Sequence, residues 1–168
     1  MLKQMCLAAS AGLCLIAGAV HADAAKPTLA VGDDFPVMTL NDQHDETLRI
    51  PDSASLVMFT TSKDADGWFD ELLEDEHPAA IEALNAGDWI YISDISNMPA
   101  LVTRMFALPS LRGRDYPVAL VREEADAEHL PAQSGCISVM NLEDNTIKAL
   151  QYWCSPEEAH GGLANRLK

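Results

Sequence analysis

Apolar and polar positions fall into two patterns along this chain: short unbroken apolar runs, and longer stretches with apolar residues at helical spacing. Leu56-Val57-Met58-Phe59 is the clearest run, as expected of a strand buried on both faces. It ends in Thr60-Thr61-Ser62. A polar link, Lys63-Asp64-Ala65-Asp66-Gly67, leads to Trp68, Phe69, Leu72 and Leu73 at helical spacing. The pattern predicts a strand feeding a helix that begins near Asp66.

Before this junction, Val37-Met38-Thr39-Leu40 and Thr47-Leu48-Arg49-Ile50 flank the polar Asn41 to Asp45, a hairpin pattern. Pro51-Asp52-Ser53 breaks the chain ahead of the central strand. After it, the first helix carries Asp70, Glu71, Glu74, Asp75 and Glu76, read as a solvated acidic face. Pro78 forces a kink or restart, and a second segment, Ala79 to Asn85, ends at Gly87 as its cap. Trp89 to Ile92 is the next strand. Ser96 or Asn97 is expected to cap a helix with Pro99 in its first turn. Leu101, Val102, Met105, Phe106 and Leu108 form its apolar side, and Pro109 ends it. Met98, Met105 and Phe106 are thereby assigned to the core.

Tyr116 to Val121 reads as a strand, and Ile137 to Leu142 with Ile147 to Trp153 as a hairpin turning at Asp144-Asn145. Ser155-Pro156-Glu157-Glu158 has the form of a capping box, opening a last helix. Strands alternating with helices predict an α/β domain with a mostly parallel sheet, and the closing hairpin adds an antiparallel edge.

Residues 1–22 read as an export signal: Lys3, an uncharged apolar run from Cys6 to Val20, and small-x-small sites that place cleavage between about 22 and 25. The remaining chain, 26–168, is long enough for one domain. The chain holds 11 basic and 26 acidic residues, and losing Lys3 leaves 11 − 1 = 10 basic ones. Such a balance argues against nucleic-acid partners and anionic membranes. No membrane span is expected after signal removal. Cys6 and Cys14 leave with the signal, so Cys136 and Cys154 are the cysteines of the mature chain. An exported chain with two cysteines suggests one bridge. With a three-residue hairpin loop Cys136 faces Cys154; with a two-residue loop it faces Trp153, and a bulge shifts the register again.

Three stretches together resemble thioredoxin-like proteins of the alkyl hydroperoxide reductase/thiol-specific antioxidant (peroxiredoxin-like) type. VGDDFPVMTLNDQHDETLRI is similar to that group's opening, LVMFTTSKDADGWF to its central strand and redox helix, and CISVMNLEDNTIKAL to its closing hairpin. The resemblance implies a three-layer sandwich: a central mixed sheet, flanking helices and an N-terminal hairpin. It also implies a redox site at Thr61 and at Asp64 to Gly67, which this chain has vacated. Asp64 stands where the peroxidatic cysteine is expected, and Asp64 and Gly67 where Cys-x-x-Cys is expected. A carboxylate does not replace a thiolate as nucleophile. The group's cis-proline position aligns near Gly135-Cys136, where no proline stands.

Lys63 to Gly67 lacks the oxygen ligands of a calcium loop. No histidine pair sits at ligand spacing within one element. His44, His77, His129 and His160 are read as surface residues, and neither a metal nor a cofactor is expected. Two functional readings stand. One is an exported, periplasmic or secreted bacterial binding module in the cell envelope, with a protein or small-molecule partner. It expects an exposed apolar patch larger than a few hundred Å². The other is a thiol-disulfide oxidoreductase or peroxidase-like enzyme using Cys136 and Cys154.

Overall fold

A computed structural model of the chain describes residues 28–50 and 53–167. The export signal and the Pro51-Asp52 break lie outside the described residues. The observed elements are β1 (Met38–Asn41), β2 (Thr47–Ile50), β3 (Leu56–Thr60), α1 (Lys63–Glu76), α2 (Pro78–Ala86), β4 (Trp89–Asp94), α3 (Ala100–Val102), α4 (Leu108–Leu111), β5 (Ala119–Val121), β6 (Ile137–Glu143), β7 (Thr146–Trp153) and α5 (Pro156–Arg166). A π turn, Thr103–Ala107, joins α3 to α4 without a break.

All strands join one mixed sheet in the order β2-β1-β5-β4-β3-β6-β7. β3, β4 and β5 run parallel, and both hairpins add antiparallel edges. β3 is buried at every residue, as its run predicts. Strand alternation sends Leu56 and Met58 to one face and Val57 and Phe59 to the other. The first face packs against Phe69 and Leu73 of α1, Ala80 and Leu84 of α2, and Ala159 and Leu163 of α5. The second is covered by irregular chain, with Phe35, Ala127 and Leu130 buried against it.

The closing hairpin turns on two residues, Asp144 and Asn145, both with positive φ (48° and 67°). That is the turn whose twist matches paired strands. Asn145 Nδ2 donates to Phe35 O at 2.8 Å. The register then shifts after Asn141, which faces Ala149 while Leu142 faces Ile147. This bulge restores what a two-residue loop alone would lose. Ile137 pairs with Trp153, and the next position out brings Cys136 and Cys154 into a disulfide with Cα atoms 4.1 Å apart.

Several expectations need correction. α1 begins at Lys63, not near Asp66, because Ser62 caps it: its Oγ accepts from Ala65 N at 3.2 Å. The polar link is therefore the helix's first turn. The third helix begins at Ala100, with Pro99 as its cap residue, and it does not stop at Pro109. Proline removes one helical hydrogen bond and crowds the carbonyl four residues back. The π turn immediately before it bonds Leu108 N to Thr103 O and so carries the helix through. Leu101, Val102, Met105 and Phe106 are exposed, Leu101 by 67% and Phe106 by 66%, so of the expected apolar side only Leu108 packs partly against the core. Met98 alone of the assigned core methionine and phenylalanine group packs partly against it.

His77 and His129 are buried, not on the surface. His77 is the residue between α1 and α2, where Pro78 restarts the helix. Burial, and after it the neighbouring His160, lowers the His77 pKa below the ordinary histidine value. On α1, Glu71, Glu74, Asp75 and Glu76 are exposed as expected, but Asp70 is not part of a free acidic face. The strand expected from Tyr116 is shorter at its start. Gln43 takes over there, its amide donating to Tyr116 O and accepting from Val118 N, both at 2.8 Å.

The last helix forms where the capping box predicts, with its return bond one residue before the cap. Ser155 Oγ accepts from Glu158 N at 3.3 Å, and Glu158 reaches back to Cys154 N at 2.7 Å. Gly162 faces the Trp153 indole so closely that any β-carbon would overlap it. Trp153 is buried between Phe69 and the Arg166 guanidinium. Gly162→Ala is expected to destabilise the fold by about 1–3 kcal/mol through overpacking. Gly161→Ala meets open space and should stabilise α5 by about 0.5–1 kcal/mol. Urea unfolding of the two variants checks this opposite sign.

Candidate functional site

The carboxyl ends of β3 and β4 open onto a groove of about 470 Å³. Thr61, Ser62 and Asp66 of the β3–α1 junction form one wall, and Ser93 and Asp94 of β4 form the floor. Met98, Val102 and Phe106 form the opposite, apolar wall. Clefts at the carboxyl ends of parallel strands are the usual ligand position in α/β sheets. Local chemistry sets the junction. Thr60 ends β3 with its Oγ1 donating to Cys136 O at 2.9 Å and accepting from Ser62 N at 3.1 Å. Ser62 then caps α1. The strand end, the helix start and the chain before β6 are thereby held as one unit.

Thr61, Asp64 and Gly67 all lie at the β3–α1 junction. Thr61 is exposed and lines the groove, Asp64 is exposed on the first turn of α1, and Gly67 is exposed at the start of its second turn. No β-carbon at Gly67 would meet an obstacle. Cys136 lies near the same end of the sheet through its carbonyl, but its side chain is committed to the disulfide with Cys154. The pair is unequal: Cys136 is 3% exposed and Cys154 is an exposed residue.

Under the groove lies a polar cluster that sequence reasoning missed. Arg114, with its side chain 4% exposed, donates to Asp66 through Nη1 at 3.1 Å and Nη2 at 2.7 Å. Its Nε lies 2.9 Å from Asp70 Oδ1, off the line of a hydrogen bond, so that contact is ionic. Tyr91 donates to Asp66 at 2.9 Å and Tyr116 to Asp70 at 2.7 Å. Burial, and after it the charge of Asp66, pushes the Tyr91 phenol well above its ordinary range. Burial likewise raises Tyr116, against the opposing pull of Arg114. Both hydroxyls therefore act as fixed donors. For Arg114 burial disfavours the charge, yet the Asp66 hydrogen bonds and charge outweigh it, and the net pKa rises. Asp66 reaches the groove with its charge matched and its lone pairs engaged, which suits positioning better than proton transfer.

The apolar wall continues onto the solvent side of its helix. Leu101 with Met105, and Val102 with Phe106, are one helical turn apart and exposed by 40–67%. These residues form an exposed apolar surface adjoining the groove. The periodicity of these residues was visible in the sequence, but not what they face.

No family profile matches the chain, and no curated protein matches it in sequence. Solved structures do. A protein from Bacteroides thetaiotaomicron assigned as a disulfide isomerase superposes with a TM-score of 0.56 at 15% identity, over 82% of this chain and 88% of that one. The thioredoxin domain of a thiol-disulfide oxidoreductase from Bacteroides vulgatus does so at 0.53 and 10% identity, over 84% and 100%. A peroxiredoxin-like protein from Aquifex aeolicus does so at 0.52 and 11%, over 86% and 91%. Mixed sheet, flanking helices and strand-end groove define an α/β protein. The fold is thioredoxin-like.

Proposed function

We propose that this chain is a non-catalytic binding or accessory module of the bacterial cell envelope, exported through its N-terminal signal, that receives a partner in the groove at the ends of β3 and β4. The observation that carries this reading is the apolar wall. Met98, Val102 and Phe106 line the groove, and Leu101 and Met105 extend the same surface outward. Serine and threonine hydroxyls on the other wall supply hydrogen bonds without a strong nucleophile. Asp64 and Gly67 hold the helix start where a thiol pair would otherwise act. The partner class that fits is an extended or helical polypeptide segment with apolar side chains two or three positions apart. Among the described residues, no helix is long and apolar enough to cross a membrane.

The test uses peptides selected by display against the immobilised protein, with affinities measured on wild type and on Phe106→Asp and Val102→Asp. Both residues are exposed, so folding stability should change by no more than about 0.5 kcal/mol. Peptide affinity should fall by at least about 30-fold, as when a central apolar contact is lost. Affinity unchanged in both variants would place binding elsewhere. The enzyme reading is favoured by one observation, the exposure of Cys154 within the disulfide.

A further inference from the structure

The restart of the helix at Pro78 leaves Glu76 as the last residue of α1 and His77 as the joint between α1 and α2. α5 packs beside α1 and carries His160 past its first turn. Residues 83 positions apart are thus neighbours, out of reach of any spacing motif. His77 Nε2 lies 3.2 Å from His160 Nδ1, and His160 Nδ1 lies 2.8 Å from Glu76 Oε2. Ligand atoms of all three side chains fall within 4.8 Å of one another.

The arrangement is frustrated when only protons are available. His160 Nδ1 carries either one proton or one lone pair. With the proton it donates to Glu76, and His77 then has no separate donor to accept from. With the lone pair it accepts from His77, and it then faces a carboxylate oxygen. One cation would resolve both conflicts, because each group offers a ligand atom and these atoms lie within 4.8 Å of one another. The rings are tilted by 56° with centroids 4.9 Å apart, so they are not stacked. Two donors at 2.0–2.1 Å from a tetrahedral ion stand about 3.3 Å apart, close to the His77–His160 separation.

We propose that Glu76, His77 and His160 form a binding site for one divalent transition-metal ion of zinc type. Two imidazoles and one carboxylate favour zinc or copper over magnesium and calcium, which demand oxygen ligands. Three protein ligands leave one position for water. A hollow of about 280 Å³ lined by Leu72, Pro156 and Glu157 lies beside Glu76 and His160 and gives that water room. The buried His77 supplies a fixed ligand, and the half-exposed side chains of His160 and Glu76 (50% and 53%) keep the site open to ions. The site sits at the far end of α1 from the groove, and the bound ion clamps α5 to the α1–α2 joint.

The test is calorimetric titration of the untagged protein with Zn²⁺, joined by visible absorption of the Co²⁺ form. One Zn²⁺ per chain is expected, with a cobalt spectrum of four- or five-coordinate intensity and a higher melting temperature in the presence of zinc. His160→Ala and Glu76→Gln change half-exposed side chains and should leave the far-ultraviolet spectrum of the metal-free protein unchanged. They should weaken zinc binding at least tenfold and abolish the cobalt bands. His44→Ala, outside the cluster, should bind as wild type does. Absence of binding at millimolar zinc, or equal affinity in the His160 and Glu76 variants, would overturn the site.

Discussion

Arg114→Met is expected to destabilise the protein by about 3 kcal/mol, seen as a lower urea midpoint with an unchanged slope. The variant keeps the length of the aliphatic stem, so the loss isolates the guanidinium. Without it, Asp66 and Asp70 become two carboxylates one helical turn apart, with the sheet behind them. Like charges at that spacing repel, and each retains a tyrosine donor but no cation. Breaking a fully buried pair costs about 3–5 kcal/mol. The lower end applies because the two aspartate side chains keep 17% and 23% exposure. Arg114→Lys should recover only part of the loss, since an ammonium cannot hold Asp66 by two parallel bonds while touching Asp70. Full stability in Arg114→Met would mean that the cluster contributes nothing to the fold.

Loss of the disulfide in Cys136→Ser/Cys154→Ser should cost about 3 kcal/mol, from a bridge that spans 18 positions. The same bond decides between the two functional readings. An attacking thiolate reaches the exposed Cys154 sulfur first and would expel Cys136 as a thiolate. Cys136 Sγ lies 3.5 Å from the Ser134 carbonyl oxygen, an acceptor that opposes negative charge there. A poor leaving group slows exchange. The wild-type protein is therefore expected not to accelerate insulin reduction by dithiothreitol, while its urea midpoint falls once the bond is reduced. Catalysis of insulin reduction that disappears in the double serine variant would favour the enzyme reading instead.

Much of the architecture was legible because its signals are local. The unbroken run at Leu56 to Phe59 can only be covered on both faces, and Ser155 to Glu158 carries its cap within four residues. What failed depends on distant partners. Helical periodicity at Leu101 to Phe106 shows that a face is apolar, and says nothing about whether protein or solvent covers it. Asp66 and Arg114 are 48 positions apart, so neither residue announces the other. The cysteines were ambiguous for a different reason. A two-residue turn alone would have separated them, and the bulge after Asn141 decided the register. The groove inherits both kinds of information: the strand-to-helix junction that carries its polar wall was readable, and in its apolar wall Val102 and Phe106 were misassigned to the core while Met98 packs partly against it.

Gln43 has a consequence for how the molecule opens. β1 meets the body of the sheet through a single strand pairing, Asn41 with Leu120. The remaining attachment is partly polar, with Gln43 on Tyr116 and Val118, Arg112 on Gln43 O, and Arg122 on Asp42 O and the Asp45 carboxylate, and partly apolar, with Leu40 and Ile50 buried in the core on one face of the sheet. Undocking the β1–β2 hairpin tears no long ladder of strand hydrogen bonds, but it exposes Leu40 and Ile50 and leaves a buried amide without both partners. The five strands from β3 to β7 have their own core, and closing the hairpin onto them spans more than 70 positions, a late step in assembly on loop-entropy grounds. The Gln43 amide thus ties the hairpin down on the opposite flank of the sheet from the disulfide-bonded edge.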